Sequence, residues 1–287
     1  MTGFPFSRRA LLGGALSLGA AALLPAPARA AFASSRLTIA VRGRGPDVIL
    51  IHGLDSSRGI WNGTVAALPG HRCHLVQIAG FAGVPAGGNA SGQIVAPAAA
   101  EIARYIAEAG LARPALIGHS MGGTIAMMVA SRWPQRVGRL MVVDMLPAPA
   151  GLFGGTASGL GPLAQRLQRY FGGSPEGRDT FATLMRMFGN GGSAASDPDV
   201  TGRALSELAQ IDLTRDLPKI TAPMTVVYAT PAPGGALTPA QVRQSYAAAY
   251  AGAKTARLVP VANSGHMVMI DQPARFNEAV RAFLAAR

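Results

Sequence analysis

The sequence predicts an α/β domain built on a mostly parallel central sheet with helices on both faces. Three observations carry this. Short apolar runs alternate with helix-like stretches along much of the 287-residue chain, the rhythm of β-α-β units. The apolar run 114–117 leads through a glycine-rich turn, Gly118-His119-Ser120-Met121-Gly122-Gly123, into a helix-like stretch at 124–132. Setting aside the first thirty of the 287 residues leaves 257, enough for one large domain with a sizeable core.

The first thirty residues read as an export signal. Ser7-Arg8-Arg9 opens an apolar run over residues 10–24, and Pro25-Ala26-Pro27-Ala28-Arg29-Ala30 closes it. A charged start, a short apolar middle and an A-x-A ending mark a secretory signal, and the paired arginines resemble the twin-arginine type. Cleavage is expected after Ala30, with Ala31-Phe32-Ala33 as a second site, and the mature protein is expected in the periplasm or secreted from a bacterium. The run is shorter than the roughly twenty residues a membrane span needs, so no stable span is expected.

Residues 36–41 and 48–52 read as strands, the second continuously apolar as a strand buried on both faces should be. Residues 74–78 give a third strand, and residues 98–109 a helix that stops at Gly110. After the glycine-rich turn and its helix, residues 140–144 form another strand ending on Asp144. The rhythm then breaks between 145 and 220, where Gly- and Pro-rich turns separate helix-like pieces at 163–171, 178–187 and 200–211. Phe181, Leu184, Met185, Met187 and Phe188 have helical spacing, ordinarily a core-packing stripe. Because the segment is inserted after a sheet strand, it is read as a helical lid with an adaptable apolar inner face. Strands resume at 224–228 and 256–259, and a helix over 273–286 closes the domain. The expected organisation is an export signal (1–30), a core (31–144 and 221–287) and a lid (145–220).

Composition excludes several classes. The net charge is +12, or +9 without Arg8, Arg9 and Arg29. The arginines are scattered and aromatics are few, which speaks against a nucleic-acid surface. The single Cys73, just ahead of the third strand as read here, cannot form an internal disulfide. His71-Arg72-Cys73-His74 is too small a ligand set for a zinc cluster. Neither metal-ligand spacing nor a phosphate-cradling loop is present, so no cofactor is expected.

The chemistry concentrates at Gly118-His119-Ser120-Met121-Gly122. A serine thrust out on a sharp strand-to-helix turn takes strained backbone angles, and side chains at 118 and 122 would collide with neighbouring backbone. The following helix start favours developing negative charge. This is the context of a G-x-S-x-G nucleophile elbow.

Together with His52-Gly53-Leu54 after an early strand and Gly265-His266-Met267 near the end, this turn makes the chain resemble the α/β-hydrolase family from about residue 36 to residue 287. The resemblance implies that Ser120 is the nucleophile and His266 its base, on the loop after the last strand. It implies an oxyanion hole from the backbone N–H groups of Leu54 and Met121, with His52 and Gly53 bracing the first. The acid departs from the family's commonest pattern: the loop after the strand at 224–228 has no carboxylate, and none occurs between Asp216 and Asp271. Some members place the acid one strand earlier, where Asp144 stands. A dyad without an acid, or Asp197 or Asp199 swinging in from the lid, are the alternatives to Asp144.

The implied activity is hydrolysis of small carboxylic esters, with a hydrophobic acyl or alcohol group, through an acyl-enzyme. Amide, lactone or carbon–carbon cleavage, or cofactor-free perhydrolysis, would use the same triad. A non-catalytic binding protein on this fold is the reading from another class. Nothing in the sequence fixes an oligomeric state.

Overall fold

A computed structural model of the chain describes residues 1, 32–150, 195–232 and 237–286. The expected export signal, the lid pieces at 163–171 and 178–187, and the apolar stripe at Phe181–Phe188 lie outside the described residues.

The described strands form a seven-stranded sheet: β1 (Leu37–Gly43), β2 (Asp47–Ile51), β3 (Arg72–Ile78), β4 (Ala115–His119), β5 (Arg139–Val143), β6 (Met224–Thr230) and β7 (Ala256–Ala262). Their spatial order is β1-β3-β2-β4-β5-β6-β7. β1 runs antiparallel to β3, and the other neighbours are parallel. The described helices are α1 (Asn62–Ala66), α2 (Val95–Glu108), α3 (Met121–Arg132), α4 (Pro198–Gln210), α5 (Pro239–Ala249), α6 (Val268–Asp271) and α7 (Pro273–Ala285).

Alternate residues of a strand face opposite sides of a sheet, and here both sides are buried. Ile49, Ile51, Leu116, Val142 and Val226 pack with Ile102, Ile106 and Ile125 of α2 and α3 and with Tyr246 of α5. Val48, Leu50, Ile117, Met141, Val143 and Val227 pack on the other side with Phe276, Val280 and Phe283 of α7. This explains why the central strands read as continuous apolar runs rather than alternating ones.

The structure moves several boundaries. β3 begins at Arg72, so Cys73 lies inside the strand, fully buried, and His74 is a strand residue as well. Arg72 faces Asp47 across the β2–β3 register, its guanidinium donating to Asp47 Oδ2 at 2.9 Å. His74 is buried between Asp47 Oδ1 at 2.8 Å and the Tyr105 hydroxyl at 2.6 Å. Helix α2 starts at Val95, three residues earlier than read. Pro97 is tolerated in a first turn, where its missing N–H has no partner to lose. That turn is capped from α4: Glu207 accepts from the N–H groups of Ile94 and Val95 at 2.7 and 2.9 Å. Asp197 caps α4, accepting from Asp199 and Val200 N–H. Helices α1, α5 and α6 were not read from the sequence. α5 carries a full capping box between Thr238 and Gln241, with Pro239 at its first position.

The chain passes from β2 to β3 on one side and then to β4 on the other, so the carboxyl ends of β2 and β4 flank the point where strand order reverses. In open α/β sheets such a point is where ligands bind.

Candidate active site

The loops at the carboxyl ends of β2, β4, β5 and β7 carry the candidate residues. Ser120 follows β4 directly, at φ 53° and ψ −124°. This is a region that residues with a Cβ avoid, and it persists where the surroundings enforce it. Here the Ser120 N–H donates to Val143 O at 2.9 Å, and Ser120 O accepts from Gly123 N–H at 2.7 Å. A Cβ on Gly118 would lie 2.1 Å from Gly122 O, and one on Gly122 would lie 2.3 Å from Ile51 O. Glycine at both positions is therefore a condition of the turn. Helix α3 begins at Met121, three residues earlier than read, so its first N–H groups, which have no intrahelical acceptor, start directly after the serine.

The loop after β2 meets this turn. A Cβ on Gly53 would stand 3.0 Å from Ser120 Cβ and 3.0 Å from His119 Nδ1, so glycine at 53 allows the loop carrying Leu54 to close on the serine. His52 is fully buried. Its Nε2 lies 3.0 Å from the Ile78 N–H and its Nδ1 2.8 Å from Gly53 O. The amide is a donor, so Nε2 accepts, and Nδ1 carries the proton and donates to Gly53 O. Burial lowers the His52 pKa to about 4, which keeps the imidazole neutral and this bond arrangement intact. His52 thus ties the loop to β3.

Asp144 follows β5 at φ 49°, its N–H donating to Val227 O at 2.8 Å. Its Oδ2 lies 2.7 Å from His266 Nδ1. A carboxylate only accepts, so Nδ1 carries the proton and Nε2 keeps a lone pair. Asp144 Oδ1 accepts from the Ala229 N–H at 2.9 Å and from the Tyr246 hydroxyl at 3.1 Å. His266 is held from the other side by His119, whose Nε2 donates to His266 O at 2.9 Å, with the two rings 4.6 Å apart. Burial, reinforced by the nearby His266, holds the His119 pKa well below the ordinary value, so His119 serves as a neutral donor. Asp271 holds the preceding residue, its Oδ2 accepting from the Gly265 N–H at 2.9 Å.

The structure therefore brings Ser120 and Gly53 together, with Leu54 next in the same loop, and joins Asp144 to His266 by a hydrogen bond. It does not bring in the alternative acids: Asp197 and Asp199 sit at the start of α4. Sequence reasoning missed Tyr246, His119 as a brace and Asp271. It also missed Asp55, which is buried beside Leu54, its pKa raised by burial and partly offset by a hydrogen bond to Ser196. Ser196 Oγ in turn accepts from the Ala82 N–H at 2.9 Å, and Asp197 N–H donates to Gly80 O at 2.7 Å. The end of the inserted segment is thereby pinned to the loop after β3. The capping box ahead of α5 was the available signal for the helix that delivers Tyr246.

Comparison with known proteins agrees with this architecture. The chain matches the family described as "Alpha/beta hydrolase family" over residues 48–279. A pimeloyl-[acyl-carrier protein] methyl ester esterase from Aeromonas hydrophila is 27% identical over 258 residues, covering 84% of this chain and 96% of the relative. The polyketide synthase ThaQ of Burkholderia thailandensis is 32% identical over 267 residues, which span 87% of this chain and 12% of that protein. Among solved structures, an enol-lactonase from Burkholderia xenovorans superposes with a TM-score of 0.62 at 21% identity, over 87% of this chain and 96% of that one. A thermophilic esterase from Thermogutta terrifontis gives 0.65 at 22% identity, over 86% and 92%. These two structural likenesses speak to the fold alone.

Proposed function

The chain belongs to the alpha/beta hydrolase family, and from that premise we propose that it is a serine hydrolase of carboxylic esters, acting through Ser120, His266 and Asp144. The observation that carries the reading is the 2.7 Å bond from His266 Nδ1 to Asp144, which leaves the base's other nitrogen unprotonated and able to accept a proton. The name of the Aeromonas relative, a methyl ester esterase, supports ester chemistry over the other bonds this machinery can cleave.

In the proposed cycle, Ser120 Oγ attacks the ester carbonyl while His266 Nε2 takes its proton. The oxyanion is accepted by the N–H groups of Met121 and Leu54, each such donor being worth about 3 kcal/mol in the transition state. Asp144 fixes the tautomer and supports the imidazolium. Collapse breaks the ester C–O bond, and the alcohol leaves with the proton from His266. Water, deprotonated by His266, then attacks the acyl-enzyme, releases the acid and returns the proton to Ser120. The apolar stripe Phe181, Leu184, Met185, Met187 and Phe188 in the inserted segment 145–220 supports a hydrophobic acyl or alcohol group and a lid role. Residues 1–30 are proposed as a cleaved export signal, testable by N-terminal sequencing of the protein from a periplasmic fraction.

The test is a p-nitrophenyl ester chain-length series on wild type and Ser120→Ala, with fluorophosphonate labelling alongside. Turnover and labelling are expected to depend on Ser120 and to favour longer chains over acetate. Labelling or turnover that persists in Ser120→Ala would overturn the triad, and a preference for short polar esters would overturn the substrate class.

A further inference from the structure

Tyr246 is a buried phenol from α5 whose hydroxyl meets the carboxylate proposed as the triad acid. Its ring stacks on Tyr228 of β6, with centroids 4.1 Å apart and planes 13° from parallel, and lies 6.3 Å from the Tyr250 ring. The hydroxyl is 3.1 Å from Asp144 Oδ1. The Ala229 N–H reaches the same oxygen at 2.9 Å, leaving Oδ2 to His266. Three donors from three different elements, β6, α5 and the loop after β7, thus fix the carboxylate in plane and direction.

We propose that Tyr246 is a positioning residue for catalysis, orienting Asp144 so that Oδ2 faces His266 Nδ1. The inference rests on the triad reading above and deepens it. A carboxylate can turn about its side-chain torsions; with one oxygen held by two donors, turning breaks two hydrogen bonds, both charge-assisted and therefore strong. The phenol is suited to the task because it stays protonated. Burial, and then the negative charge of Asp144, push its pKa well above the ordinary value, so it can act only as a donor toward this carboxylate. The titratable and charged groups around this cluster are Asp144 after β5, Tyr228 on β6, Arg243 on α5, Tyr250 directly after it, and His266 with His119 beyond it.

The bland alternative is that Asp144 merely satisfies a buried hydroxyl, and two measurements separate the readings. Tyr246→Phe keeps the ring and its stack. It is expected to lower kcat on a p-nitrophenyl ester about tenfold, the worth of one hydrogen bond to a charged group, with KM changed less than twofold. Tyr250→Phe is the matched control: its hydroxyl donates to Met145 O at 2.6 Å, so it loses a buried hydrogen bond in the same tyrosine cluster and is expected to keep wild-type kcat. The second measurement places mono-, di- and trifluorotyrosine at position 246. A more acidic phenol draws more charge from the carboxylate and weakens its support of the imidazolium. The acid limb of kcat/KM is therefore expected to move to progressively lower pH. This series decides the matter alone if Tyr246→Phe does not fold. Wild-type kcat in a folded Tyr246→Phe, or a pH profile flat across the series, would overturn the inference. An active Ser120→Ala would instead overturn the triad reading beneath it.

Discussion

Asp144→Asn exchanges one carboxylate oxygen for an amide nitrogen, and the surroundings dictate which one. Both groups on Oδ1, the Ala229 N–H and the Tyr246 hydroxyl, are donors, so the asparagine carbonyl must take that place. The NH2 then points at His266 Nδ1, which must accept. The imidazole proton is driven to Nε2, the nitrogen that in the proposed cycle receives the proton of Ser120. The base is lost while the geometry is retained, an arrangement expected to lower kcat about 10⁴-fold, or roughly 5 kcal/mol of barrier. Asp144→Ala differs instructively, because it strands the buried Tyr246 hydroxyl and the partly buried Ala229 N–H and should also lower stability by about 1–3 kcal/mol for the buried donor. The assay is hydrolysis of p-nitrophenyl butyrate at neutral pH, paired with urea denaturation of both variants. An Asn variant within tenfold of wild type would refute the role of the carboxylate. Equal stability of the Asn and Ala variants would refute the assignment of Oδ1 to two donors.

Gly122→Ala puts a Cβ 2.3 Å from Ile51 O and 2.6 Å from His52 O. It should cost about 1–3 kcal/mol in urea denaturation and abolish ester turnover; an unchanged denaturation midpoint would show that the elbow has slack. His52, with its pKa lowered to about 4 by burial, excludes a proton that the unfolded chain binds below about 6.5. Its contribution to stability is thus complete above the unfolded value and is lost as pH falls from there toward 4, by at most about 3 kcal/mol. Stability measured from pH 7 to 4 should fall less steeply in His52→Gln than in wild type, and an identical slope would disprove this coupling. Glu207→Ala removes the carboxylate shared by the Ile94 and Val95 N–H groups; a loss of about 1–2 kcal/mol is expected in urea denaturation, and none would mean that solvent replaces the cap.

What could be read from the sequence divides by how local its cause is. The elbow was legible because strand, glycines and helix start are contiguous, and the same backbone collisions that forbid a Cβ at 118 and 122 impose the motif. The central strands were legible because burial on both faces confines polar residues to their ends. Boundaries failed where a distant residue supplies the missing partner. Helix α2 was read from residue 98, three residues late, and the group that caps its start, Glu207, lies more than a hundred residues downstream. The third strand was read from residue 74, two residues late, and the charge that Arg72 neutralises at its start sits on β2. The place of the expected acid at Asp144 was what the family resemblance implied, since some members carry it one strand earlier and no carboxylate lies between Asp216 and Asp271. The groups that orient it could not be reached in that way. Ala229 contributes a backbone N–H, which carries no residue signature, and Tyr246 is one of five tyrosines in the chain, distinguished only by where α5 docks. A carboxylate moved to the end of β5 must find its donors on the next strand and the helix after it. The meeting of Asp144 with Tyr246 is therefore set by the sheet order β5-β6-β7 and by the docking of α5, and a search for a motif along the chain passes over it.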